Sequence, residues 1–197
     1  ELRHGRVQAV ATGSRQVLLA DGSALPYDRL LIASGARAQR PRLPGIDLPQ
    51  VLSCWTLADA RALAVRVVPG ARVLQMGAGF IGCIILESLK VRGPQLTVVE
   101  MGDRMVPRMM DEVAGAMIGR WCEQRGVGVR TGRCVEEIST AGEELRVTLD
   151  DGEACTVDVV ISATGVRPNV DFLAGSGVEV ATGIVVDEAM QTSVAGV

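Results

Sequence analysis

Residues 72–82 read RVLQMGAGFIG, and the fold turns on how that stretch is read. Val73, Leu74 and Met76 suit a buried parallel strand, which meets apolar layers on both faces. Gly77, Gly79 and Gly82 then form the spacing GxGxxG. FIGCIILESLKVRG follows with apolar residues at helical spacing, and Gly93-Pro94 stops it. LTVVE comes next as a second apolar strand ending on Glu100. Strand, glycine turn, helix and strand make a βαβ unit.

Each part of that unit has its own chemistry. Gly77 lets the chain turn sharply off the strand, Gly79 lets a pyrophosphate approach the backbone, and Gly82 lets the helix pack closely on the sheet. The helix amino terminus offers unpaired N–H groups and a positive dipole to phosphates. Glu100 stands 18 positions after the third glycine, near the expected ~20. A carboxylate there accepts both hydroxyls of an adenine ribose and repels a 2′-phosphate, which favours NAD(H) over NADP(H). Three such glycines alone are weak grounds for a binding site; their place inside a βαβ unit is what reads as dinucleotide binding.

Working outward, Thr56–Asp59 (TLAD) has the pattern of a capping box opening a helix that runs to about Val67 and ends at Pro69-Gly70. Asp111–Arg125 has helical spacing with acids in its first turn, and Gly126 closes it before the strand VGVRT. Beyond lies a β-meander and a last strand running into Ala163-Thr164-Gly165. The predicted fold is therefore α/β, a Rossmann-like three-layer ββα domain with a β-meander.

The chain also repeats itself. Segment 7–35 and segment 135–165 each carry a strand-like opening, a turn, an alternating run, Asp-Gly and a final apolar run. Asp21-Gly22 matches Asp151-Gly152, Asp28 matches Asp158, and Ala33-Ser34-Gly35 matches Ala163-Thr164-Gly165, each 130 residues on. A fixed offset through three landmarks reads as duplication. By that reading RLLIASG, residues 29–35, is also the end of a buried strand.

Composition narrows the function. Of 197 residues 48% are apolar and 22% charged, which predicts a packed core. With 3% aromatics, a net charge of −3 and no basic stripe, nucleic-acid binding is not expected. No apolar run spans a bilayer and the first ten residues lack a signal-peptide core, so a cytoplasmic location is the expectation. The five cysteines, at 54, 83, 122, 134 and 155, form no CxxC, which argues against a zinc site or a redox pair and reads as reduced, mostly buried thiols. His4, the sole histidine, leaves no triad to build. No metal ligands are assigned. Met101, Met105, Met109, Met110 and Met117 cluster around the second helix and read as core filling, with a soft docking surface as the alternative.

GxGxxG, an acid ending the next strand, a meander and then ATGVRPN resemble the FAD-dependent pyridine nucleotide–disulfide oxidoreductases. Without CxxC the chain is most similar to the NADH-dependent ferredoxin/rubredoxin reductase and nitrite-reductase flavoprotein branch. YDRLLIASGARAQRPRLPG resembles that family's exit from its first FAD segment, and GIVVDEAMQTSVAGV its approach to the second FAD motif. The resemblance implies partial FAD-domain segments at 1–41 and 167–197 around an NAD(H)-binding domain at 42–166. The FAD half's own GxGxxG is expected upstream of Glu1, and its second motif past Val197. Residue by residue, it implies that Gly77, Gly79, Phe80, Ile81 and Gly82 line the pyrophosphate and Glu100 holds the ribose. It implies too that Arg104 and Arg108 flank the adenosine, although solvated charge is the other reading of both arginines, that Val135 packs on adenine, and that Thr164 and Gly165 face the nicotinamide side.

One departure stands out. Ile84 occupies the position, two after the third glycine, where the family often carries a nicotinamide-side Glu, and Glu87 is nearly one turn on. Cys83 beside it is read as a buried helix thiol, with redox activity as the alternative. The implied activity is hydride transfer from NADH to FAD, with electrons passing on to a small redox protein or an attached redox domain. No side chain is assigned as catalytic, because the cofactors carry the chemistry. Two further readings stay open: a disulfide or peroxide reductase of the same superfamily, and a non-enzymatic NAD(H)-binding module.

Overall fold

The structure, a computed structural model, describes all 197 residues. In chain order its strands and helices are β1 Val7–Ala11, β2 Gln16–Leu19, β3 Ala24–Pro26, β4 Ala36–Ala38, β5 Val51–Ser53, α1 Leu57–Arg66, β6 Arg72–Met76 and α2 Phe80–Lys90. There follow β7 Gln95–Glu100, α3 Glu112–Gln124, β8 Val127–Thr131, β9 Val135–Ala141, β10 Glu144–Leu149, β11 Ala154–Val157, β12 Val159–Ser162 and β13 Val166–Pro168. They divide into two compact units, residues 38–166 and residues 1–37 with 167–197. The chain crosses between them at β4 and β13, which pair with each other.

The larger unit is built on a five-stranded parallel sheet in the order β5-β12-β6-β7-β8. Alternation along β6 sends Val73 to one face and Leu74 and Met76 to the other. On the first face Val73, Val98 and Ile161 meet Leu63 of α1, Leu86 and Leu89 of α2 and Cys122 of α3. On the second, Leu74, Met76, Val99 and Val160 meet Leu145, Val147 and Val157 of the antiparallel sheet β11-β10-β9. Meander, parallel sheet and helices are the three layers expected. Local signals set the helix starts: Thr56 accepts the Asp59 N–H while Asp59 accepts the Thr56 N–H, and Asp111 accepts the Ala114 N–H. At the foot of β6, Arg72 bonds Asp158 at 2.7 Å and also Glu144, tying β6 to β10 and to the link between β11 and β12.

The smaller unit holds the antiparallel sheet β1-β2-β3 and a core of Val10, Leu173 and Val178. The two meanders use one turn design. At Asp21-Gly22, Gly22 donates to Leu19, Leu19 donates to Ser23, and Ser23 donates to the Asp21 carboxylate at 2.9 Å. At Asp151-Gly152, Gly152 donates to Leu149, Leu149 donates to Glu153, and Glu153 donates to the Asp151 carboxylate at 3.0 Å. The match continues beyond the meanders: Asn169 donates to the Gly35 carbonyl and Gln39 to the Gly165 carbonyl, both at 2.9 Å.

Three expectations are corrected. Residues 30–35 form no strand: Leu30 and Ile32 turn into the small core, but Leu31 is 88% exposed. A strand exists only where a neighbour takes its N–H and C=O groups, and no strand of this chain lies alongside. Of the five methionines only Met105 is buried; Met101, Met109 and Met110 lie exposed on the loop before α3, and Met117 is exposed because α3 turns Gly115 and Cys122 inward instead. Of the cysteines only Cys122 is buried, and the other four are half-buried. No helix is long and apolar enough to cross a membrane.

Candidate functional site

The strand order reverses between β6 and β12. From β6 the chain winds through α2, β7, α3 and β8 to one side, while β12 and β5 lie on the other. A crevice at the carboxyl ends of such strands is where open α/β sheets take ligands. Here it is edged by the turn 77–79 and by Ala163-Thr164-Gly165.

The three motif glycines answer to different neighbours. Gly77 has φ +93°, and a Cβ there would stand 2.6 Å from the Ala163 carbonyl oxygen at the end of β12. A Cβ on Gly82 would stand 2.5 Å from the Gly77 oxygen and 2.8 Å from Gln75 Nε2. Around Gly79 no atom beyond its chain neighbours lies within 4 Å of the same point, and its φ of −69° suits any residue. Packing therefore excludes a side chain at Gly77 and Gly82, and leaves the Gly79 side open.

Gly79 caps α2 without a side-chain hydrogen bond, and the first i→i−4 bond runs from Cys83 N–H to Gly79. The N–H groups of Phe80, Ile81 and Gly82 therefore lie ahead of the helical ladder, at the positive end of the dipole. Glu100 closes the other side. Its Oε2 accepts the Ala78 N–H at 2.6 Å and its Oε1 the Gly102 N–H at 2.8 Å. Each oxygen keeps a second acceptor direction. Thr164 Oγ1 donates to the Gln39 carbonyl at 3.2 Å and holds the β12 end of the crevice.

These contacts draw together Gly77, Gly79, Gly82, Glu100 and the 163–165 turn. Phe80 is exposed and Ile81 half-buried in the first turn of α2, and Ile84 is exposed on the same helix. Arg104, Arg108 and Val135 are not part of the cluster. Arg104 bonds Asp103 and the Met110 and Pro107 carbonyls, fastening its own loop. Arg108 is exposed on that loop, while Val135 opens β9, pairs with Leu149 and packs under the meander. Burial, then the neighbouring Cys122 and Glu100, push the Cys83 thiol up to about 11, and its Sγ lies 3.4 Å from the Ala78 carbonyl. Gln75, a glutamine within an otherwise apolar strand, is buried behind the turn and donates to the Gly77 carbonyl.

A dinucleotide fits this set: an open glycine on a helix tip, a carboxylate bracing the turn, and a switch-point crevice. The profile described as pyridine nucleotide-disulphide oxidoreductase matches residues 1–197. The chain belongs to that family. Among family members, the epsilon subunit of NADH-dependent phenylglyoxylate dehydrogenase from Aromatoleum evansii is 37% identical, over 89% of this chain and 42% of its own length. A crystal structure of a ferredoxin reductase from Rhodopseudomonas palustris is 32% identical with a TM-score of 0.93, over 98% of this chain and 48% of that one. The water-forming NADH oxidase from Lactobacillus brevis, solved with NADH bound, is 28% identical with a TM-score of 0.88, over 97% and 44%. The chain thus spans less than half the length of each of these family members.

Proposed function

We propose that residues 42–166 are the NAD(H)-binding domain of an FAD-dependent oxidoreductase, with residues 1–41 and 167–197 as segments of its FAD domain. The observation that carries this reading is the contrast among the glycines: two are demanded by the protein's own packing, and Gly79, on the helix tip, is open. Backbone N–H groups of the first turn of α2 take the diphosphate. Glu100 accepts the adenine ribose hydroxyls with its remaining lone pairs, and its charge disfavours a 2′-phosphate. Thr164 and Gly165, with the exposed Ile84, border the nicotinamide side; Arg104, Arg108 and Val135 serve the adenosine end. An NAD(H) held by the first turn of α2 and Glu100 would supply hydride chemistry toward an FAD in the intact protein.

The side chains here bind, orient and exclude water, and none moves a proton. Cys83, held as the protonated thiol, does not act as a nucleophile. The intact protein passes electrons to a small redox protein or an attached redox domain. The names of the relatives, a ferredoxin reductase and an NADH-dependent dehydrogenase subunit, support that reading. Calorimetric titration of the full-length protein with NADH and NADPH, followed by NADH-dependent dye reduction, tests it. The expected result is tighter binding of NADH and turnover with it. Heat from neither nucleotide refutes it.

A further inference from the structure

Gln75 is fully buried in β6, a position that apolar side chains ordinarily fill. Its Nε2 donates to the Gly77 carbonyl at 2.9 Å. Only the nitrogen can donate to a carbonyl, so this bond fixes the orientation of the amide. The Oε1 is buried with no hydrogen-bond partner. A buried acceptor left unmet opposes folding, and an apolar side chain of the same size removes that cost. Stability alone therefore does not account for a glutamine here.

What the bond touches does account for it. The Gly77 carbonyl and the Ala78 N–H belong to one peptide unit and, in a planar trans peptide, point opposite ways. Gln75 holds that unit by its oxygen and Glu100 holds it by its N–H, at 2.6 Å. The next unit is anchored at its oxygen too, since the Ala78 carbonyl accepts the Val106 N–H at 2.8 Å and faces Cys83 Sγ; its N–H, on Gly79, is thereby turned the other way. The peptide that separates the strand from the helix tip is thus clamped at both ends, and one clamp is also the ribose-reading carboxylate.

We propose that Gln75 is a positioning residue for the dinucleotide: it fixes the 77–78 peptide, and through it the setting of Glu100 and the aim of the Gly79 N–H, before cofactor arrives. This rests on the reading of the glycine turn as an NAD(H) site. Gln75→Met keeps the length of the side chain and removes the donor. In the full-length protein we expect Gln75→Met to melt near the wild-type temperature, because removing the orphan oxygen offsets the loss of the donor to the Gly77 carbonyl. NADH should bind about five- to tenfold more weakly by calorimetry, the scale of one neutral hydrogen bond. The NADH over NADPH preference should narrow, a change that a purely structural residue would not produce.

Wild-type affinity and preference in Gln75→Met overturn the proposal while leaving the NAD(H) site standing. A wild-type protein that binds no NADH removes the underlying site instead. Gln75→Leu repeats the test should the methionine variant not fold. Independently, the Gln75 side-chain amide protons in the wild type should exchange slowly with solvent deuterium and shift on NADH addition; fast exchange without a shift also overturns it.

Discussion

Replacing the motif glycines by alanine one at a time separates packing from binding. At Gly77 the new methyl meets two penalties. A φ of +93° costs a side chain about 1–2 kcal/mol. The Ala163 oxygen at 2.6 Å and carbon at 3.0 Å are backbone atoms that cannot swing aside, and such overpacking costs about 1–3 kcal/mol. The sum is about 3 kcal/mol, or roughly 6–12 °C in melting temperature for a chain of this size. At Gly79 neither penalty applies. Its backbone angles, φ −69° and ψ −174°, are ordinary for alanine, and no atom beyond its chain neighbours lies within 4 Å of the Cβ position. The weaker helix cap, about 0.5–1 kcal/mol, offsets the entropy that alanine removes from the unfolded chain, about 0.4–1 kcal/mol. Gly79→Ala should therefore melt within about 2 °C of wild type. It should nevertheless lose NADH. A methyl on the helix tip stands between a diphosphate and the backbone N–H groups, and forfeiting one charge-assisted bond of about 1.5–3 kcal/mol weakens Kd roughly ten- to a hundredfold. The assay is a thermal melt with and without NADH, alongside calorimetry on the full-length protein. Gly79→Ala binding NADH as wild type does, or Gly77→Ala as stable as wild type, would refute the reasoning.

Glu100→Ala should reverse or erase the NADH over NADPH preference and loosen the turn, since the Ala78 and Gly102 N–H groups lose their acceptor; an unchanged ratio of the two affinities counts against the ribose assignment. Cys83, with its thiol pushed up to about 11, should react slowly with iodoacetamide in the native protein at pH 8 and faster once unfolded; prompt native labelling would contradict the raised value. Thr56→Ala should cost about 0.5–2 kcal/mol through the lost capping box and leave NADH affinity alone. The Arg72 guanidinium, bonded to Asp158, holds that carboxyl below its ordinary value. The stabilisation is present above about pH 4 and lost as pH falls through the lowered value, so Asp158→Asn should flatten the acid limb of the stability curve, and an unaltered limb would remove that role.

The βαβ unit was legible because every signal in it is local. Val73 and Leu74, then glycines at fixed spacing, then a helical apolar period, need no distant partner to be read. The same holds for the Thr56–Asp59 capping box and for both Asp-Gly turns, whose hydrogen bonds span four residues or fewer. Residues 30–35 show the limit. Their composition is that of a strand, but a strand is a relation between two segments. The methionines mark a similar limit, for a run such as Met101 to Met110 does not say which side of its loop meets the core, and only Met105 does.

The layer order, the place of the glycine turn between strand and helix, and the acid at the end of β7 are all readable along the chain. They follow from periodicity and backbone sterics over a few residues. Why Gly77 has to be bare, which side of Gly79 is open, and that Gln75 and Glu100 grip one peptide from its two ends emerge from the folded contacts. Each depends on atoms brought together by the parallel pairing of β12 and β7 with β6, and hydrogen bonds and contacts across a sheet leave no period along the chain.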